Sequence, residues 1–335
     1  MFRKIFIVAL AAFATIVSSG PVPRQAPVTG KLTSHVPRFP LPVLVFPQED
    51  IADGRTDPDV QILQFALTLE HLENAFYNAS LAKFTVSDFM AAGYPSWVYG
   101  RFAEIAGHER THVKYLTEAL GSNAVPACTY DFGNTLDDPT SFANQSRVFE
   151  TIGTSAYLGG AGVLQNKMYV AEAGSILAVE RSHAGWVSSA VLKHQPWDGP
   201  FTIPLPASGV YSLAHPFITA CPVTYPQLPI IPLPALTLSN STPEPGSTVN
   251  FSFPQANFTS GTPYYAAWLD GLNVTYTDIA ADGSTTVPGG LLGIVYVATV
   301  SSQETPSDSN LVSGFALIAY DYDSSTDDSE AGSPV

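Results

Sequence analysis

The sequence predicts a multi-domain α plus β protein, a four-helix bundle followed by a small C-terminal β-sandwich. Three observations predict it. The signature Glu-x-x-His occurs twice, as Glu109-Arg110-Thr111-His112 and Glu180-Arg181-Ser182-His183. Two further glutamates, Glu70 and Glu150, are each followed seven residues later by a tyrosine, Tyr77 and Tyr157. After Lys193 the apolar pattern changes from a helical period to short strand-like runs separated by turn residues.

In chain order, Arg3 and Lys4 precede an apolar run from Ile5 to Val17, and Ser18, Ser19 and Gly20 follow. This reads as a cleavable secretory leader over residues 1–19, too short for a membrane span. Residues 20–56 are rich in proline, without helical periodicity, and read as an extended arm. Asp57 before Pro58 is a cap followed by a first-turn proline, and it opens the first helix. Leu63, Ala66, Glu70, Glu73 and Tyr77 then recur at spacings of three and four on one stripe.

The second helix is expected from about Ser96 to Leu120, stopped by Gly121, with Phe102, Ile105, Glu109, His112 and Leu116 on one face. Asp138-Pro139 opens a third, which carries Phe142, Phe149, Glu150 and Tyr157 and ends near Gly159 to Gly162. The fourth runs from about Ala171 to Leu192, with Ile176, Glu180, His183 and Val187 on one stripe. Residues 196–234, dense in proline and aromatic side chains, should wrap the helices, so the bundle unit is drawn at 57–222. From residue 235 to 322 about seven short strands are expected to form the sandwich. Residues 323–335 read as a disordered acidic tail.

Composition narrows the function. Formal net charge is −15 and no Lys or Arg follows Lys193. Nucleic acids and anionic membranes are bound through Lys and Arg contacts to phosphate, so neither is an expected partner. Six sequons, at Asn78, Asn144, Asn240, Asn250, Asn257 and Asn273, agree with a secreted, extracellular glycoprotein. The two cysteines, Cys128 and Cys221, suggest one disulfide in an oxidising compartment, closing a loop of about 93 residues.

The repeated signature carries the chemistry. Glu-x-x-His sets a carboxylate and an imidazole one helical turn apart on the same face, where both can reach one metal ion. The order Glu…Tyr, ExxH, Glu…Tyr, ExxH is the ligand order of a di-metal bundle. Four buried carboxylates repel one another and lose hydration, a cost that two divalent cations remove. Oxygen-rich ligation with one imidazole per ion suits iron or manganese better than zinc. The expected ligands are therefore Glu70, Glu109, His112, Glu150, Glu180 and His183, with Glu109 and Glu180 placed to bridge.

Glu73 lies one turn beyond Glu70 and could replace it or add a carboxylate. Tyr77 and Tyr157 could donate hydrogen bonds to ligand carboxylates, act in electron transfer, or serve as core aromatics. His71, His108, Glu104 and Glu172 fall off the ligand stripes and read as surface groups or partners of the ligands. Arg110 and Arg181 point away from the site, toward acidic residues on neighbouring helices.

The stretch from about Asp57 to Pro222 resembles the secreted ferritin-like proteins of fungi and plants that include desiccation-related and stress-regulated members. The matching segments are Ala66-Leu67-Thr68-Leu69-Glu70-His71-Leu72-Glu73-Asn74-Ala75-Phe76-Tyr77, Gly107-His108-Glu109-Arg110-Thr111-His112, Ser155-Ala156-Tyr157-Leu158-Gly159, Ala173 to Ala184, and Pro216-Phe217-Ile218-Thr219-Ala220-Cys221-Pro222. The resemblance covers about half of the chain, short of the sandwich. It implies a ferritin-like bundle and an association with stress or development, and no established reaction.

Two functions fit these readings. One is a di-metal oxidoreductase acting on peroxide or Fe(II). The other is a non-catalytic extracellular or cell-wall stress protein, with the bundle as scaffold and the β domain binding a glycan or other wall component. Fold alone does not choose between them. Iron storage in a cage is not expected of a glycosylated two-domain chain, and the oligomeric state is left open.

Overall fold

Asp57 starts the helical part: its side chain accepts a hydrogen bond from Asp59 N, and Pro58 fills the first helical position, where a missing N–H costs nothing. Helix α1 runs Pro58–Lys83. The computed structural model describes residues 57–228, 230–254, 256–258 and 263–320. The leader at 1–19, the arm at 20–56 and the tail at 323–335 lie outside the described residues.

A short helix α2, Val86–Ala91, follows, capped by Thr85 and Asp88 in a reciprocal box. Helix α3 spans Trp97–Leu120 and stops at Gly121, whose φ is 53°. Helix α4, Pro139–Ala161, is capped by Asp138, which accepts from the backbone of Thr140 and Ser141. Helix α5, Lys167–Trp186, begins four residues before the expected start, because the Asn166 side chain accepts from Met168 N. It does not run on to Leu192 as an α-helix: a π-helical turn occupies Val187–Val191. Helix α1 packs chiefly on α3, and α4 on α5.

The chain after the π turn adds one helix, α6, Ala207–Ala214. Proline at 206 suits a helix start, while Ser208 and Gly209 weaken the helical signal that would have revealed α6. Ile203, Leu205, Val210 and Ala214 enter the core shared with Phe76, Phe142 and Phe149. Strands β1, Thr129–Tyr130, and β2, Ile218–Ala220, pair antiparallel between the two cysteines. Cys128 and Cys221 are bonded, with Cα atoms 4.2 Å apart.

Seven strands follow: β3 Thr237–Leu238, β4 Thr248–Ser252, β5 Tyr265–Asp270, β6 Asn273–Asp278, β7 Ser284–Thr286, β8 Gly293–Val300 and β9 Ala316–Tyr320. They form two antiparallel sheets, β3-β4-β7 and β6-β5-β8-β9. Side chains alternate across β5 and β8, as a period of two requires. Trp268, Val295 and Val297 pack on Val249 and Phe251 of the smaller sheet. Leu269, Ile294, Tyr296 and Ala298 face the other way, into the core that holds the bundle's phenylalanines. Both faces of the four-stranded sheet are therefore covered, and every residue of β8 is buried.

Candidate metal centre

The site forms where α1, α3, α4 and α5 each turn a glutamate inward. Glu70, Glu109, Glu150 and Glu180 are all 0% exposed. Their burial follows from position: each lies on the same stripe as apolar core residues, Leu63 and Tyr77 for Glu70, Phe102 and Ile105 for Glu109. The two ExxH pairs converge. Nδ1 of His112 lies 3.2 Å from Glu109 Oε2, 3.2 Å from Glu180 Oε1 and 3.3 Å from Glu70 Oε2. Nδ1 of His183 lies 2.9 Å from Glu150 Oε2 and 3.3 Å from Glu109 Oε1.

Two groups of four ligand-type side chains result. Glu70, Glu109, His112 and Glu180 form one, and Glu109, Glu150, Glu180 and His183 the other, with donor atoms within 4.8 Å of one another in each. Glu109 and Glu180 belong to both.

The tyrosines are exchanged between the halves. Tyr157, on the helix of Glu150, donates to Glu70 Oε1 at 2.5 Å. Tyr77, on the helix of Glu70, donates to Glu150 Oε1 and lies 2.6 Å from Ser146 Oγ. Of the roles open to them in the sequence, the geometry gives both the hydrogen-bond donor and the core aromatic. Burial and the adjoining glutamate push both phenols well above their ordinary value, so they stay protonated and able to donate.

Hydrogen bonding within the cluster remains incomplete. Glu70 Oε2, Glu109 Oε1 and both carboxylate oxygens of Glu180 are buried without a hydrogen-bond partner. Burial raises Glu150 to about 8 and, reinforced by Glu150, raises Glu180 to about 8. Glu109 is also raised by burial, then by Glu180 and Glu150. Burial disfavours charge on His112, but the surrounding carboxylates of Glu109, Glu180 and Glu70 outweigh it and carry the imidazole above its ordinary value. His183 is lowered, chiefly by burial. A cluster of this kind is short of positive charge. Divalent cations fit it: orphaned carboxylate oxygens need a partner, the donor set is oxygen and imidazole nitrogen, and the only two cysteines are tied to each other.

Two groups outside the expected six matter. Glu73 is 4% exposed and belongs to neither group of four. Its carboxyl is raised well above the usual range, first by burial and then by Glu180. Opposite it on α4 is Gly153, where a Cβ would come 2.9 Å from Glu180 Oε2 and 3.1 Å from Glu73 Oε1. The sequence reading missed Gly153. Its signal was a lone glycine within a helical pattern, which costs about 1 kcal/mol against alanine unless packing needs it.

The second is His108. Its Nδ1 lies 2.8 Å from His183 Nε2, fixing the imidazole whose Nδ1 faces the carboxylates. A cleft of about 570 Å³, lined by Trp97, Arg101, Glu104, Ile105, His108, His183 and Trp186, reaches the cluster here. Arg181 points away from the cluster as expected. Its partner is Asp198 at 2.8 Å, in the segment after the π turn rather than on a neighbouring helix.

All six sequon asparagines are exposed: Asn78, Asn144, Asn240, Asn250, Asn257 and Asn273. No helix among the described residues is long and apolar enough to cross a membrane.

Comparison with known proteins agrees with this architecture. Residues 58–193 match the ferritin-like domain family, so the helical part is a ferritin-like domain. Protein rds1 of Schizosaccharomyces pombe (strain 972 / ATCC 24843) is 25% identical over 279 residues, covering 68% of this chain and 67% of that protein. That share of the chain exceeds the ferritin-like domain, so the likeness extends beyond residues 58–193.

Proposed function

We propose, for a chain whose residues 58–193 are a ferritin-like domain, that the bundle holds two divalent ions of iron or manganese and acts as a secreted oxidoreductase on peroxide or Fe(II) in stress or development. The observation that carries this reading is the pair of four-residue donor groups sharing Glu109 and Glu180, with four buried carboxylate oxygens that accept no hydrogen bond. Glu70 and His112 would complete one ion, and Glu150 and His183 the other. When bound, such ions supply redox capacity and bind oxygen-centred ligands.

The protein's own groups prepare the site. Tyr157 and Tyr77 hold Glu70 and Glu150 through one oxygen each, leaving the second oxygen directed at the cluster. His108 holds Nε2 of His183, so that Nδ1 is the nitrogen offered to a ligand. Small polar reactants would enter through the cleft at Trp97 and Trp186. Secretion is supported by the Cys128–Cys221 bond and by six exposed sequons.

The alternative is a stress or wall component in which the bundle is a scaffold. The observation that favours it is the common core, which ties the sheets to the helices as one body. The β part, without Lys or Arg, would then bind a neutral glycan or other extracellular material.

Metal analysis and turnover measured together separate the two. Protein purified from a secreting host should hold two ions per chain and consume peroxide or oxidise Fe(II) with turnover. Glu109→Ala and His183→Ala should abolish both while the β sheets stay folded. Full occupancy with activity no greater than that of the free ions would sink the enzyme reading and leave the scaffold.

A further inference from the structure

A second cavity shares Tyr157 with the surroundings of the cluster and has different chemistry. It encloses about 250 Å³ between α1, α4 and the stretch that leads into α6. Ile62, Phe65 and Leu69 form one wall, Leu205 and Val210 another, and the ring of Tyr157 a third. No Asp, Glu, Lys, Arg or His lines it, and it shares no lining residue with the cleft at His108. Close approach of the backbone shapes it: a Cβ on Gly159 would lie 2.0 Å from Leu205 O, so only glycine lets that wall seat on α4. Tyr157 belongs to both places, with its ring in the wall and its hydroxyl on Glu70.

The volume and lining select an occupant. An apolar cavity of ~150 Å³ stays dry and accepts benzene. At about 250 Å³ this one suits a larger molecule, such as a short hydrocarbon chain or two fused aromatic rings. A charged ligand would lose its hydration here and find no counter-ion. We propose that the cavity binds one uncharged apolar organic molecule against Tyr157, next to the carboxylate cluster. Its position makes that molecule a substrate or effector of the metal centre, a step that rests on the reading of the function above.

The test uses the full chain and an uncharged fluorescent probe, N-phenyl-1-naphthylamine. Metal-free protein should bind one probe per chain saturably, and decan-1-ol should displace it. In Gly160→Leu the new side chain starts beside Ile62, since a Cβ at 160 lies 3.4 Å from Ile62 Cγ2. It should fill the cavity and weaken probe binding by at least about tenfold, with metal content unchanged. Ala161→Leu, in the same lining, replaces that variant if it does not fold.

Absence of saturable binding, or binding that decan-1-ol and the filling variant leave untouched, overturns the proposal. Two ions per chain without probe binding overturns the pocket and leaves the metal centre standing. Probe binding without metal uptake supports the pocket and overturns the centre.

Discussion

Glu180 is the residue on which the cluster turns: it is shared by both donor groups, and neither of its oxygens has a hydrogen-bond partner. The room it occupies depends on Gly153. We expect Gly153→Ala to push Glu180 or Glu73 aside, since a Cβ at 2.9 Å from a carboxylate oxygen is too close to persist. Metal affinity should fall by about tenfold, as for loss of a residue that orients a ligand. Metal-free stability should hold or rise, because alanine favours the helix by about 1 kcal/mol. Isothermal titration with Mn(II), beside thermal melts of the metal-free protein, checks both. Unchanged affinity would show that the glycine serves something else. The convergence of the six side chains was legible because ExxH and Glu-x6-Tyr are spacings along one helix. Gly153 and the His108–His183 contact were not, because they join different helices, and local periodicity carries no record of which faces meet. The exchange of tyrosines was hidden for the same reason: Tyr77 and Glu70 share a helix, yet each pairs across to α4.

Among the elements, α5 supplies two of the expected ligands and is anchored from outside the bundle. Arg181 bonds Asp198, and the backbone oxygen of Asp198 accepts from Ile294 N on β8. From the same strand, Tyr296 places its hydroxyl 3.3 Å from Ser155 Oγ and 3.4 Å from Thr151 O on α4. The sheet thus braces both α4 and α5 beside the ligands. Arg181→Ala should destabilise the protein by roughly 2 kcal/mol, below the ~3–5 for a wholly isolated buried pair, because Arg147 also acts on Asp198. Chemical denaturation measures the loss, and the double variant Arg181→Ala/Asp198→Asn should recover part of it. No recovery would count against the pair. Helix starts with side-chain caps, Asp57-Pro58 and Asp138-Pro139, were legible to the residue. The start of α5 at Asn166 and helix α2 also carry side-chain caps, and Thr85-x-x-Asp88 is itself a capping box, but six residues are too few for a period to show. The π turn has no sequence mark of this kind: its backbone is set where the chain leaves α5 to reach Gln195, whose carbonyl accepts from Ser188.

In the whole molecule, a sheet covered on both faces and a bundle enclosing four carboxylates share one core, so the charge state of the cluster is a term in global stability. Burial raises Glu73 and Glu109, and raises Glu150 and Glu180 to about 8, in the metal-free protein. A carboxyl raised on folding contributes stability fully below its unfolded value near 4.5, and loses it as pH rises through its folded value. His112, also raised, acts in the same direction. His183, His108 and His71 are lowered, chiefly by burial, and act against them, since they cost stability as pH falls below 6.5, but they are three groups against five. The melting temperature of the metal-free protein should therefore fall between about pH 5 and pH 8. Metal reverses the balance, because ligand carboxylates must be deprotonated to bind it. At ~100 times the dissociation constant, metal should raise the melting temperature by about 5–10 °C at pH 8 and by less at pH 5. Calorimetry with Mn(II) or with chelator at each pH reads both trends. A metal-free melting temperature that stays level across this window would mean that the carboxylates keep their charge when buried, and the electrostatic case for two cations would fail with it.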